Sequence, residues 1–309
     1  MNWKPVTTLL LKKLLILKDM KLSNKLLIAF ASSLILIPLL GMVIVSRVNY
    51  RVGERGDKLD VVYDNNSFKS PDPGMTASSV TAFSSVEILN GQDYRINIRL
   101  VADDAYGVKV PAEIKDMISF KVEANGKLSI DVKPKEEKNR NRYATIIVYA
   151  PNIKTLTVAK AETLILTVSQ DSLNVIGDKI EKIEFGSAKD TKHISISAND
   201  VQVISVFNEV INSLTVDAKN TSFSSEKSSY GNLSVTSTGG KEIAITGGTD
   251  GDREDDKSYK IEHLMLNTMG SPQAKVTVSD VMVSNCSGSL ADQNIVEMPV
   301  VNLKQLLKK

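Results

Sequence analysis

Hydrophobic and polar residues follow two regimes along this chain. The first is a run of 21 positions without a charge, Leu26 to Ser46, bracketed by Lys25 and Arg47. A bilayer core about 30 Å thick needs roughly 20 apolar residues as helix. Thirteen of these are Leu, Ile, Val or Phe, worth roughly 4 to 8 kcal/mol together on an insertion scale, which outweighs Pro38 and the Ser32-Ser33 pair. The run predicts a transmembrane helix over 26–46. A cleaved secretory signal is the competing reading, and its apolar core is shorter, usually about 7 to 15 residues.

The second regime begins near residue 80. Val86-Glu-Ile, Tyr94-Arg-Ile-Asn-Ile-Arg-Leu, Leu128-Ser-Ile-Asp-Val and Thr145-Ile-Ile-Val-Tyr alternate with period two and are rich in β-branched residues, which predicts strands. Helical periodicity is nearly absent there; Glu113–Met117 reads as one short turn and Leu303–Lys309 as a frayed basic end. From Pro151 the strands repeat. Apolar-x-x-apolar-x-apolar occurs at Ile153/Leu156/Val158, Ile180/Ile183/Phe185, Ile211/Leu214/Val216, Tyr230/Leu233/Val235 and Ile261/Leu264/Leu266. Shorter pairs follow each, such as Leu164/Leu166, Leu173/Val175, Ile194/Ile196, Val201/Val203, Ile243/Ile245, Val276/Val278 and Val281/Val283. Spacing of roughly 19 to 31 residues with Gly, Asn, Asp or Ser corners predicts an all-β fold, a β-solenoid with three short faces per turn. An antiparallel sandwich is the runner-up, and it needs longer strands joined by tight hairpins.

These regimes divide the chain into a cytoplasmic basic segment 1–25, a transmembrane helix 26–46, a linker 47–79, a β-solenoid 80–298 and a basic tail 299–309. The linker carries Gly53, Gly56, Asn65-Asn66 and Pro71-Asp72-Pro73-Gly74 without sustained period, with a short strand at Leu59–Tyr63 as an option. Six lysines precede the run against Asp19 alone, whereas basic and acidic residues interleave after it. The positive-inside rule places the N-terminus in the cytoplasm and exports the remainder. Residues 1–19 read either as a basic amphipathic helix on the anionic inner leaflet or as sequence ahead of a start at Met20.

The residues Phe83-Ser-Ser-Val-Glu-Ile-Leu-Asn-Gly, Phe120-Lys-Val-Glu-Ala-Asn-Gly-Lys-Leu-Ser-Ile-Asp-Val and Ala144-Thr-Ile-Ile-Val-Tyr-Ala-Pro-Asn-Ile-Lys-Thr-Leu-Thr-Val resemble the autotransporter adhesin head (GIN) domain family, a bacterial domain of unknown function common in Bacteroidetes. The resemblance covers about residues 80–290. It implies a single-stranded right-handed parallel β-helix with no established catalytic residues. Family members usually carry a signal peptide or lipoprotein signal; here the uncharged run replaces it, and Cys286 lies too late for lipidation. The chain also departs at Lys160-Ala161, where the family often has Ser-Gly.

Candidate chemistry is sparse. One cysteine in 309 residues excludes an internal disulfide and any cysteine-based metal site, and Cys286 reads as a small buried residue. Only His193 and His263 are present, little material for a histidine triad or metal centre, and both read as surface residues. No G-x-S-x-G, Walker loop or G-x-G-x-x-G after a strand occurs. The basic loop Lys133–Arg142 reads as a solvated hairpin tip, and no basic stripe suggests nucleic acid. Asp250, Asp252, Glu254, Asp255 and Asp256 form an acidic cluster with glycines, the ligand type calcium takes, but the EF-hand spacing fails and a charged loop is the default. No cofactor is implied.

The expected function is a membrane-anchored, non-catalytic binding, adhesion or scaffolding module of the bacterial envelope. Its partners would be the bilayer through Leu26 to Ser46 and an envelope glycan or protein. Contact would run through the outward side chains Thr157, Thr167, Ser195, Ser197, Thr215, Ser234, Thr236 and Thr246. A polysaccharide-active β-helix enzyme is the alternative, requiring two carboxylates brought together in space.

Overall fold

The computed structural model describes residues 21–49, 67–91, 94–133, 143–187, 191–248, 259–270 and 273–308. The chain divides into two units, Met1–Asp64 and Asn65–Lys309. In the first, helix α1 (Leu22–Asn49) runs through Pro38 and covers the uncharged stretch. Its described apolar side chains are exposed, Leu26 at 65%, Phe30 at 67% and Ile37 at 67%. Among the described residues no helix is long and apolar enough to cross a membrane. Ile28, Ile35, Leu39, Leu40 and Val43 inside α1 lie outside the described side chains, so the span over 26–46 stands on the sequence alone.

The second unit is built of two large sheets. Strands alternate between them from β8 onward: β8 (Thr155–Ala159), β10 (Ser172–Asp178), β12 (His193–Asn199), β14 (Val210–Lys219), β16 (Ser229–Thr238), β18 (Lys260–Met269) and β20 (Met282–Ser289) in one. The other takes β9 (Thr163–Ser169), β11 (Lys182–Ser187), β13 (Val203–Phe207), β15 (Ser222–Glu226), β17 (Glu242–Thr246), β19 (Lys275–Ser279) and β21 (Ile295–Glu297). Every pairing among these strands is parallel, and like residues stack. Leu173, Ile194, Leu214, Leu233, Leu264 and Cys286 are successive register partners, each buried. Cys286 ends this ladder as a small core residue, and burial pushes its thiol pKa up.

Among the described residues the strands form two sheets, and the expected third face is not seen. Ile211, Tyr230 and Ile261 do not begin a face of their own; they open the same ten-residue strands that carry the later pairs and stack on one another. The pattern read as one repeat also falls in different sheets, Ile183/Phe185 in β11 and Leu214/Val216 in β14. Of the pair Val201/Val203, Val201 is buried just before β13, but within that strand Ile204 and Val206 are the buried members and Val203 faces outward. A one-residue slip exchanges the two faces of a strand. Corners use left-handed residues, Lys160, Lys179, Asp200, Asn220 and Gly239, with φ between 52° and 71°. The Lys179, Asp200 and Asn220 amides each donate to the carbonyl of Asn199, Lys219 and Thr238 respectively, one turn on.

Both ends are closed by other geometry. At one end β1 (Met75–Ser79), β4 (Gly107–Pro111) and β7 (Tyr143–Ala150) pair antiparallel, as do β5 (Ile118–Val122) and β6 (Lys127–Val132); β2 (Ser85–Asn90) and β3 (Arg95–Ala102) join them to the parallel stack. β1 lies inside the stretch 47–79 read as linker, and the turn at 113–117 is a 3-10 helix, Ala112–Met117. At the other end helix α2 (Val300–Leu306) replaces the frayed tail. It packs against β20, an edge strand. Asn302 Nδ2 donates to the Val283 carbonyl (3.1 Å), Gln305 Nε2 to the Ser284 carbonyl (3.2 Å), and Gln305 Oε1 accepts from the Cys286 amide (2.9 Å). Side chains thus occupy backbone groups that an open edge would offer to another chain.

Candidate functional site

The outer face of the β12–β14–β16–β18 sheet follows from the inner one. With Ile194, Leu214, Leu233 and Leu264 directed into the core, every neighbour in sequence faces out. Register then assembles three polar ladders: Ser195–Thr215–Ser234, Ser197–Asp217–Thr236–Asn267, and His193–Ser213–Asn232–His263–Asn285. Five of the residues singled out in the sequence, Ser195, Ser197, Thr215, Ser234 and Thr236, therefore share one surface, with Thr157 on the same sheet in β8. Thr167 in β9 and Thr246 in β17 belong to the other sheet.

Beside these ladders runs a groove of about 510 Å³ lined by Thr191, Lys192, Val210, Asn212, Gly231 and Glu262, with Ser229, Tyr230, Ile211 and Lys260 completing it. Its cause is local. Between the inward residues Ile211 and Leu214 stand two residues where alternation allows one, and the same holds for Tyr230/Leu233 and Ile261/Leu264. The register of paired residues is interrupted there, at Asn212, Gly231 and Glu262, and Gly231 lets the neighbouring strand approach. A Cβ on Gly231 would meet the Asn212 carbonyl at 2.7 Å. Under the groove Tyr230 is buried, its hydroxyl 2.7 Å from the Ser225 hydroxyl, and burial pushes its pKa far up, leaving it neutral. Charges at the rim are paired: Lys192 with Asp171 at 3.3 Å and Lys260 with Glu262 at 3.7 Å. The lining offers amides, hydroxyls and paired ions, the donors and acceptors that orient a polar, uncharged or zwitterionic ligand.

A second groove, about 520 Å³, lies where residues 67–70 cross the other sheet and is lined by Ser67, Lys69, Ala102, Asp103, Asp104, Ala105 and Pro151. Phe68 seats its ring against Tyr149 with centroids 5.5 Å apart. Gly107 makes room for it, since a Cβ there would stand 2.2 Å from the Phe68 ring. Buried Lys109 donates to the carbonyls of Ser67 (3.2 Å) and Ser70 (2.8 Å) and lies over the Tyr149 ring. Tyr149 is pushed up to about 12 by burial and by the charge of Asp72. Asp103 accepts from the Phe68 and Ala105 amides, both at 2.8 Å. Burial opposes its charge, but those amides, the Ser67 hydroxyl and Lys69 outweigh it and hold the carboxyl below its usual value. No sequence signal pointed to this strap; the Phe68–Gly107 fit exists only once β4 lies under it.

His193 and His263 share one exposed ladder but are three strands apart, about 14 Å at the usual strand spacing, too far to hold one metal ion through bonds near 2 Å. Among the described residues no group of three or more His, Cys, Asp or Glu is placed to hold a metal. The acidic cluster Asp250, Asp252, Glu254, Asp255 and Asp256, and most of the basic loop after Lys133, lie outside the described residues. Among the described residues carboxylates are brought together at two places: Glu87 and Glu123 share Lys127 at 2.7 and 3.4 Å, and Asn199 Nδ2 donates to Asp178 at 2.6 Å and to Asp200 at 3.2 Å. Asp200 also accepts from Asn220 at 2.8 Å. The Asp178/Asp200 pair is held by these amides at a corner, and neither pair lines a groove.

No family model and no curated protein sequence matches the chain. Among solved structures it is similar to a candidate adhesin from Parabacteroides distasonis, with 10% identity and a TM-score of 0.34 over 75% of this chain and 95% of that one. A candidate adhesin from Bacteroides fragilis matches at 12% identity and 0.28, covering 72% and 96%. A candidate lipid-binding protein from Parabacteroides distasonis matches at 17% identity and 0.27, over 72% and 96%.

Proposed function

We propose that this chain is a membrane-anchored envelope protein whose second unit is a non-catalytic binding module, a right-handed parallel β-helix of the GIN type, engaging a neutral polar envelope ligand such as a glycan. The anchor reading rests on the uncharged run and the lysines before it, and it places the binding unit outside the cytoplasm. The β-helix reading is supported by the alternation of parallel strands between two sheets. One observation carries the function: a groove and three polar ladders lie side by side on the outer face of one parallel sheet. A rigid surface of hydroxyls and amides loses little entropy on binding. Among the described residues lining the groove Glu262 is the single carboxylate, and it is paired with Lys260 at 3.7 Å, which favours binding over cleavage.

The test uses the full chain in detergent and soluble fragments of bacterial cell-wall glycan. Binding should be lost in Asn212→Arg with Asn232→Arg, which fill the groove and its neighbouring ladder, and kept in Thr246→Arg on the other sheet. Equal binding by all three would overturn the groove. Shortening of the glycan chains during incubation would replace the binding reading with the enzyme.

A further inference from the structure

Apolar exposure in the second unit is concentrated at one end. Seven of the eleven exposed large apolar residues described from Ser67 onward lie between Met265 and Leu307, where the earlier turns carry Ser, Thr and Asn. Helix α2 forms the outermost layer of that end. Asn302 and Leu306 face the stack and are buried. With about 100° per residue, Val300, Val301, Lys304 and the C-cap residue Leu307 fall on the opposite side within an arc of about 120°, and Lys308 follows just past the helix. Val300, Val301 and Leu307 are 64%, 61% and 70% exposed. Lys304 and Lys308 have no carboxylate partner among the described residues, and after Glu297 no acid follows through Lys309.

We infer that this outward face of α2 docks on an anionic lipid surface. Apolar side chains flanked by unpaired lysines are what an interfacial helix presents: the aliphatic groups enter the headgroup boundary while the ammonium groups stay at the phosphates. Juxtamembrane lysines are drawn to anionic lipid over about a Debye length. A purely apolar protein partner would leave Lys304 and Lys308 without a counterpart, whereas anionic headgroups supply one beside an apolar layer. This inference rests on the anchor reading for the nearness of a membrane.

The experiment places an environment-sensitive fluorophore at Leu307→Cys, and separately at Val301→Cys, in the full chain reconstituted into vesicles. Native Cys286 is buried and stays unlabelled. In vesicles containing phosphatidylglycerol both labels should shift to the blue and be quenched by brominated acyl chains; in phosphatidylcholine alone they should not. High salt, or Lys304→Glu with Lys308→Glu, should abolish the shift, and a label at Thr215→Cys should stay water-like throughout. Labels that remain water-like on anionic vesicles overturn the inference. A shift indifferent to lipid charge that grows with protein density overturns it in favour of a second copy. Flotation of the chain with either vesicle reports the anchor separately, so the two readings fail independently.

Discussion

At the scale of single residues the structure turns on which side of a strand a side chain takes. Leu214 is fully buried in the ladder between Ile194 and Leu233, and Thr215 beside it is exposed. Leu214→Asp should therefore cost several kcal/mol, from a charge buried without a partner and lost apolar burial. Thr215→Asp should stay within about 1 kcal/mol. Equilibrium denaturation of both variants checks this, and equal midpoints would refute the assigned face. Asp103 carries a pH dependence whose sign is set by its depressed pKa. A carboxyl lowered in the folded state adds stability that is full above its unfolded value, near 4, and is lost as pH falls through its folded one. The contact of residues 67–70 with the sheet should thus loosen on acidification below about pH 4, seen as loss of the Phe68–Tyr149 ring contact by NMR. Asp72, raised chiefly by burial, titrates in the opposite sense, so Asp103→Asn isolates the effect: it should loosen the strap at neutral pH and abolish the acid step.

Elements are distinguished by how they end. Parallel strands pair on both sides inside the stack, but β20 has a free edge, and α2 meets it with side chains rather than backbone. Asn302→Ala with Gln305→Ala removes three hydrogen bonds to that edge, each worth about 1 kcal/mol net. The pair should lower stability of the last turn by about 2 to 3 kcal/mol. Hydrogen exchange should then quicken at Cys286 and its neighbours while β12 is unchanged, and uniform quickening along the stack would show that the cap is not a local device. The step between stacked partners lengthens in one place for the same kind of reason. Val216 to Val235 spans nineteen residues and Val235 to Leu266 thirty-one; the longer step contains the acidic cluster in sequence, and the parallel register of β16 and β18 is kept across it.

The whole molecule joins an uncharged run to a polar, repetitive domain, and the anchor reading makes a topological prediction. A reporter that functions only outside the cytoplasm, fused within the segment after Arg47, should be active, and the chain should sediment with membranes in high salt. Recovery of the bulk as soluble protein shortened by about 45 residues would mean cleavage and leave the domain free.

Sequence alone determined what depends on near neighbours. Alternation with period two is written in consecutive residues, so Ile194/Ile196 and Leu233/Val235 were legible as inward pairs and their neighbours as outward ones. The charge-free run and its lysine flank were equally local. Tertiary structure decided what depends on partners distant in the chain. Whether a pair joins one sheet or another is set by which strand lies one turn away, and that turned three expected faces into two sheets. The groove arises where interruptions at Asn212, Gly231 and Glu262 stack, although each interruption alone is only an extra residue between apolar positions. Phe68 against Gly107, and α2 against the edge of β20, were hidden for the same reason. A glycine that admits a ring and an asparagine that fills an edge have no period, and their meaning exists only when the chain has brought the other surface to them.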